Sequence, residues 1–300
     1  MDPSMKIHIL GYDPISNSGP FSFTRQLIKG FTSRKHQLVE TNADATLSVI
    51  VTNSPEQGLW VLRLDGINFD SARDIRKLNE PIRLAYQKAD VVVAQSEFNR
   101  KLIEHTFGNH LDLRVIPNGV DLQEIRHTRP IESFELDRFD TLWCCAAEWR
   151  AHKRLDENIR FFLEHAGPSD ALLVAGHGVE HHDPEPRIAY LGIVDRMTLL
   201  SIYKRSQYFL HLAFCDHCPN VVLDARASGC HIICTSSGGT HEIAGRDATI
   251  IEDIEWAGMP LDLQHPPALD FSKTSPGSID SPLDIIEITK RYESALTAIS

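Results

Sequence analysis

Apolar residues along the 300-residue chain follow two alternating rhythms, short β-branched runs and longer stretches with helical spacing. Lys6–Leu10 predicts a strand that stops at Gly11, and Phe21–Phe31 places Phe23, Leu27, Ile28 and Phe31 on one helical face. Thr46–Thr52 and Leu59–Leu64 predict strands, Arg73–Gln87 a helix, and the Val-rich Asp90–Gln95 a strand buried on both faces. Ser96 is placed to cap a helix through Phe98, Leu102, Ile103 and Phe107 that Gly108 closes, and Leu113–Ile116 is a further strand. Residues 122–139 are polar and contain Pro130, a candidate hinge.

Beyond that stretch the alternation restarts. Strands are predicted at Thr141–Ala147, Ala171–Ala175, Ile188–Leu191, Tyr208–Ala213 and His231–Thr235. Helices fall at Leu155–Ala166 (Leu155, Ile159, Phe162, Leu163 and Ala166 on one face), Met197–Arg205 and Pro219–Ser228. Residues 258–282 are rich in Pro, Ser and Asp and read as a loop. Asp284–Ile299 is a last amphipathic helix with Ile285, Ile288, Tyr292, Leu296 and Ile299 as its stripe. Strand–helix alternation on both sides of a break predicts an α/β chain of two doubly wound, Rossmann-like domains, 1–126 and 127–283, with 284–300 packing back at their junction. Such domains would enclose a cleft, with ligands outside the carboxyl ends of the strands.

Charge divides the halves: residues 1–130 carry 16 Lys and Arg against 15 Asp and Glu, whereas residues 131–300 carry 14 against 26. The overall net charge of −11 argues against a nucleic-acid partner. No apolar run reaches membrane-span length, no secretory leader is visible, and the six cysteines sit mostly in apolar contexts. These features predict a cytoplasmic protein with reduced thiols.

Candidate chemistry gathers at predicted strand ends of the second half. In Phe214-Cys215-Asp216-His217-Cys218-Pro219-Asn220-Val221 a strand gives way to a helix, whose open N–H groups suit a phosphate. Asp224 lies one turn into that otherwise apolar helix, where a carboxylate needs hydrogen bonds, for instance from a ligand diol. The alternative makes Asp216 a turn residue and Asp224 a solvated helix residue. Glu148-Trp149-Arg150-Ala151-His152-Lys153-Arg154 puts three cations at another strand end, placed to neutralise a diphosphate. Gly176-His177-Gly178, Gly192-Ile193-Val194 and Ser237-Gly238-Gly239-Thr240-His241-Glu242 follow further strands, and together these features favour a nucleotide-diphosphate site.

The ordered set of motifs resembles the retaining glycosyltransferases of family 4, which have the GT-B fold. Asp216-x7-Asp224 stands where that family carries Glu-x7-Glu. Asp224-Ala225-Arg226-Ala227-Ser228-Gly229 matches its Glu-Ala-x-Ala-x-Gly, and Gly238-Gly239-Thr240-His241-Glu242 its Gly-Gly-x-x-Glu. In the first half Val115-Ile116-Pro117-Asn118-Gly119-Val120-Asp121 reproduces its linker run, and Ala89-Asp90-Val91 to Ser96 its strand end. The resemblance implies a metal-independent enzyme without cofactor that moves a sugar from a nucleotide-diphosphate donor to a hydroxyl of a glycan, protein or lipid-linked acceptor, with retention. By position it implies that Arg150 and Lys153 hold the diphosphate and Asp224 the ribose. Asp216, Cys218, Pro219, Asn220 and Val221 would hold sugar and phosphate. Val194 would flank the base, and the Gly19 loop would approach the diphosphate; Gly176 permits close backbone approach.

The chain departs from the family at several points. Both glutamates are aspartates, shorter by about one C–C bond (~1.5 Å), and the glycine-rich loop between them is His217-Cys218-Pro219-Asn220. Glu148 stands where the family has its arginine, which makes Arg150 a shifted candidate. Asp65, in Arg63-Leu64-Asp65-Gly66, either orients the acceptor hydroxyl or is a turn residue. Rival readings are a partner subunit that binds sugar nucleotides without transfer, motivated by the paired aspartates, and a sugar-nucleotide epimerase. A zinc site from His177, His181, His182, Cys215, His217 and Cys218 lacks a second cysteine pair at standard spacing. The basic face of Arg25, Lys29, Arg34 and Lys35 could meet an anionic membrane surface.

Overall fold

The computed structural model describes residues 4–16, 18–50, 53–55, 58–179, 184–281 and 283–297. Two units divide the chain: Met1–Asp121 with Gly258–Pro260 and Pro282–Ser300, and Leu122–Ala257 with Leu261–Ser281.

The first unit opens with β1 (Lys6–Leu10), α1 (Gly19–Ser33), β2 (Gln37–Leu38), β3 (Ala45–Val49) and β4 (Leu59–Leu64). It continues through α2 (Ile75–Lys88), β5 (Val91–Ala94), α3 (Glu97–Phe107) and β6 (Leu113–Val115). The six strands are parallel in the order β2-β1-β3-β4-β5-β6. Ser96 caps α3 by accepting from the Asn99 N–H, and Gly108 ends the helix at φ +85.

In the second unit α4 (Leu122–His127) leads to β7 (Thr141–Ala146), a 3-10 turn at Ala151–Lys153, α5 (Leu155–His165), β8 (Asp170–Ala175) and β9 (Ile188–Gly192). After these come α6 (Arg196–Arg205), β10 (Tyr208–His211), α7 (Asn220–Ser228), β11 (His231–Thr235), β12 (Thr249–Ile251) and β13 (Thr274–Pro276). The order is β13-β12-β11-β10-β7-β8-β9, parallel except for β13 at one edge. The chain enters at the central β7, winds outward to β9, and returns as β10 on the other side of β7. The strand order therefore reverses between β7 and β10, the switch point at which open α/β sheets place their ligand crevice, outside the carboxyl ends of the strands. The last helix, α8 (Ile285–Leu296), belongs to the first unit: Ile285, Ile288, Tyr292 and Leu296 join its core with Phe23, Leu27 and Phe31.

Some expectations need correction. The polar stretch after Asp121 holds α4, whose single buried residue is Ile125, too little apolar signal to show a period. Leu163 is exposed (42%), and α5 buries Leu155, Asn158, Phe161 and Phe162 instead, because Asn158 faces inward as a polar partner of the loop before it. The loop at 258–282 contributes β13, and β12 lies ahead of it; three residues each give no periodicity to read. Ile299 lies outside the described residues.

Candidate functional site

Three strand-end loops of the second unit converge at the β7/β10 crevice. Trp149 anchors the first: its indole is buried and donates to the Ala175 carbonyl at 3.0 Å, and its N–H donates to the His177 carbonyl at 2.8 Å. Gly178, at φ +85, admits this approach; a Cβ there would lie 2.5 Å from the Trp149 carbonyl oxygen. Gly176, at φ +112, does the same against Ala147. The loops after β10 and β11 are zipped together at Asp216 and Gly238. The Gly239 N–H donates to the Asp216 carbonyl at 2.7 Å, and a Cβ on Gly238 (φ +76) would sit 2.5 Å from that oxygen. Cys215, just before Asp216, is held at φ +54, a strained conformation for a non-glycine residue that aims the following carboxylate.

The Asp216 carboxylate is the centre of the cluster. Lys153 forms an ion pair with Oδ2, His211 Nε2 lies 2.9 Å from the same oxygen, and the His217 N–H donates to Oδ1 at 2.9 Å. Burial works to raise its pKa, but Lys153 and then His211 outweigh it and hold the carboxyl well below the usual range. Around it the imidazoles stay neutral. Burial, with Lys153 adding to it, pushes His152 and His217 down to about 4, and burial lowers His211 as well. Lys153 and Asp216, 63 residues apart, are thus brought together.

Other predicted residues have different neighbours. Arg150 is exposed and lies on Glu148, with Nη2 to Oε1 2.6 Å. Arg154 is turned inward by its positive φ of 52 and is 4% exposed. It pairs with Asp253 (Nη1 to Oδ2 2.7 Å), donates to the Pro267 carbonyl at 2.7 Å, and lies over the Phe214 ring at 4.9 Å. It is not the third open cation that the sequence suggested. Asp224 is buried at 3% exposure and gripped by both Nη atoms of Arg196, at 2.6 and 2.9 Å. The Nε of Arg196 in turn donates to Glu124 at 2.9 Å. Burial raises the Asp224 carboxyl, and Arg196 only partly offsets it.

At the head of α7, Cys218 and Pro219 are buried, Asn220 and Val221 half-buried, and Pro219 occupies the capping position without a side-chain cap. Val194 lies half-buried in the loop between β9 and α6, next to Asp195, which caps α6. Sequence reasoning missed His211, Arg196 and Asp253. His211 reads as part of an apolar strand, and the other two are far in sequence from the groups they hold.

In the first unit, Asp65 directly follows β4, against the buried Arg63 and the Gln95 amide, and burial raises its carboxyl while Arg63 opposes. Arg63 itself donates to the Tyr292 hydroxyl at 3.1 Å and to Asn118 at 2.9 Å. Gly19 opens α1, and the preceding loop is tied down by Arg25, which donates to the Pro14 and Ser16 carbonyls at 3.1 Å. With Arg34 on Glu293 and Lys29 3.9 Å from Asp121, three of the four cations expected on a basic face have partners inside the unit. His181 and His182 of the zinc reading lie outside the described residues; among the described ones no three His, Cys, Asp or Glu side chains could hold a metal. No described helix is long and apolar enough to cross a membrane.

Comparison with known proteins gives the fold. No family model matches the chain. A curated relative, an uncharacterized glycosyltransferase of Methanocaldococcus jannaschii, is 22% identical over 267 residues, 78% of this chain; the chain spans 64% of that relative's length. Among solved structures, Anabaena HepE in complex with UDP and glucose matches with a TM-score of 0.69 at 12% identity, covering 98% of this chain and 100% of that one. Sucrose-phosphate synthase from Thermosynechococcus elongatus gives 0.65 at 12% identity over 86% and 87% of the two chains. WaaG, a glycosyltransferase involved in lipopolysaccharide biosynthesis, gives 0.59 at 13% over 97% and 90%. The fold is the GT-B class expected from the sequence, with two Rossmann-like α/β domains built on parallel sheets.

Proposed function

We propose that the chain is a retaining glycosyltransferase that moves a sugar from a nucleotide-diphosphate donor to a hydroxyl acceptor without a metal. The observation that carries this reading is the Lys153–Asp216 pair at the β7/β10 crevice, beside the uncapped head of α7. Transfer breaks the bond between the anomeric carbon and the diphosphate oxygen and forms one to the acceptor oxygen. The acceptor's proton leaves with the departing diphosphate. Negative charge builds on that leaving oxygen, so a lysine and helix N–H groups aimed at it lower the barrier. Lys153, 18% exposed at its side chain, takes the diphosphate, with Asn220 and Val221 supplying N–H groups and Cys218 and Pro219 shaping the turn. Asp216 receives the sugar hydroxyls, Asp224 acts on the ribose side through Arg196, and Val194 flanks the base. Arg150 serves the diphosphate once released from Glu148. Asp65 is the acceptor-side carboxylate of the first unit.

Support comes from similar proteins: HepE is solved with UDP and with UDP-glucose, and the curated relative is called a glycosyltransferase. A second reading, binding without transfer, has one observation in its favour. Both candidate diphosphate cations, Lys153 and Arg150, are neutralised by carboxylates of the same chain. Incubation with UDP-, GDP- and ADP-sugars and a panel of hydroxyl acceptors, followed by NMR of the anomeric proton, separates the two. A glycoside with the donor's anomeric configuration supports transfer with retention. An inverted product refutes retention, and binding without any transfer or donor hydrolysis favours the second reading.

A further inference from the structure

We propose that His211 is a positioning residue of this site, which holds the Asp216 carboxylate through Nε2 and takes up a proton at Nδ1 when a diphosphate draws Lys153 away. This rests on the donor reading above. The two side chains that hold Asp216 differ in mobility. His211 is fixed in β10 at 4% exposure, its ring parallel to that of Phe209, so it does not swing with the loop. Lys153 ends a 3-10 turn on a long flexible stem, and is the partner able to leave.

The charges around the imidazole set its proton. From the loop after β10 it faces Asp216, and from the turn after β7 it faces Lys153 and His152. With Asp216 ionised, Nε2 must carry the hydrogen in the 2.9 Å contact, which leaves Nδ1 as the ring nitrogen able to accept a proton. While Lys153 sits on Asp216, the carboxylate is neutralised and the buried ring stays uncharged. A diphosphate that captures the ammonium removes this cation from the carboxylate and brings further negative charge. An imidazolium at His211 then becomes the counter-charge that keeps Asp216 ionised and in place. Binding thus takes up a proton, and release of the nucleotide returns it.

A ligand-free test comes first. In Lys153→Met protein with ring-labelled histidine, NMR follows His211, assigned by the signal lost in His211→Gln. Its titration midpoint should rise by about one pH unit or more relative to the wild type; an unchanged midpoint overturns the proposal. Circular dichroism checks the fold of the variant. The second test, on proteins that keep Lys153, is calorimetry with UDP in two buffers of different ionisation enthalpy. The difference between wild type and His211→Gln cancels the ligand's own protons and should be about 0.5–1 proton per UDP. Glutamine retains a donor toward Asp216 but cannot take the proton, so affinity for UDP at neutral pH should fall by about two- to tenfold, the linked worth of that uptake. Equal proton uptake in the two proteins overturns the proposal. If UDP, GDP, ADP and inorganic pyrophosphate all fail to bind while the midpoint rises in Lys153→Met, the donor reading falls and the His211–Asp216 coupling stands.

Discussion

Arg154 neighbours Lys153 in sequence yet serves stability, and Arg154→Met tests that separation. The guanidinium and the Asp253 carboxylate are each 2% exposed at their side chains, so removing the cation strands a buried charge. Asp253 also accepts from the Ser237 hydroxyl at 2.6 Å and from the Ile254 N–H at 2.8 Å, two neutral bonds that leave most of the charge uncompensated. Breaking one side of such a pair costs about 3–5 kcal/mol. In a unit of roughly 150–160 residues each kcal/mol shifts Tm by about 2–4 °C, so the melting point should fall by roughly 6–20 °C. Methionine leaves the strained φ of this position as it was, so the change reports the loss of the guanidinium: its charge, its bond to the Pro267 carbonyl and its contact with the Phe214 ring. The double variant Arg154→Met/Asp253→Leu should recover most of the loss, since a well-packed apolar pair replaces a buried ion pair at little cost. Differential scanning calorimetry reads both. A Tm within about 2 °C of wild type, together with lost nucleotide binding, would refute the reasoning and make Arg154 a ligand cation.

Further expectations concern the same unit. Gly238→Ala forces a Cβ to 2.5 Å from the Asp216 carbonyl at a positive φ, and should destabilise by about 1–3 kcal/mol and weaken nucleotide binding, read by thermal melts and calorimetry. Arg196→Met leaves Asp224 buried without its bidentate partner and should cost about 3–5 kcal/mol, with Glu124→Gln milder because Arg196 keeps its grip on Asp224. His152 and His217, held neutral with pKa values of about 4, bind protons more weakly folded than unfolded. Their contribution to stability is therefore complete above about pH 6.5 and lost as pH falls toward 4, on the order of 3 kcal/mol for the pair with solvent access allowed for. Chemical denaturation at stepped pH should show this slope, and His152→Gln/His217→Gln should flatten it. Asp216, held well below the carboxylate range, keeps its charge across that window.

Much of this was legible in the chain because its signals are local. Strand ends at Gly11 and Gly176, the helix end at Gly108 and the Ser96 cap mark themselves by residue type, and β4 spans the same Leu59–Leu64 that alternation predicts. Asp216 and Lys153 stood out as charges at the ends of apolar runs. What stayed hidden depends on contacts between distant positions or on backbone conformation. Arg154 looked equivalent to Lys153 until a single left-handed residue turned it into the core. Asp224 was expected to await a ligand diol, whereas Arg196, 28 residues earlier and at the start of another helix, already occupies both its oxygens. His211 carried no signal at all, being one polar residue in a strand whose neighbours are apolar.

The central claim is that Lys153 at the β7/β10 crevice holds a donor diphosphate. Calorimetric titration of the wild type and Lys153→Met with UDP-, GDP- and ADP-sugars tests it most directly. The account predicts that at least one donor binds the wild type and that the substitution weakens it by about tenfold or more, the worth of one charged hydrogen bond. No binding by any donor, or equal binding by the variant, would contradict it.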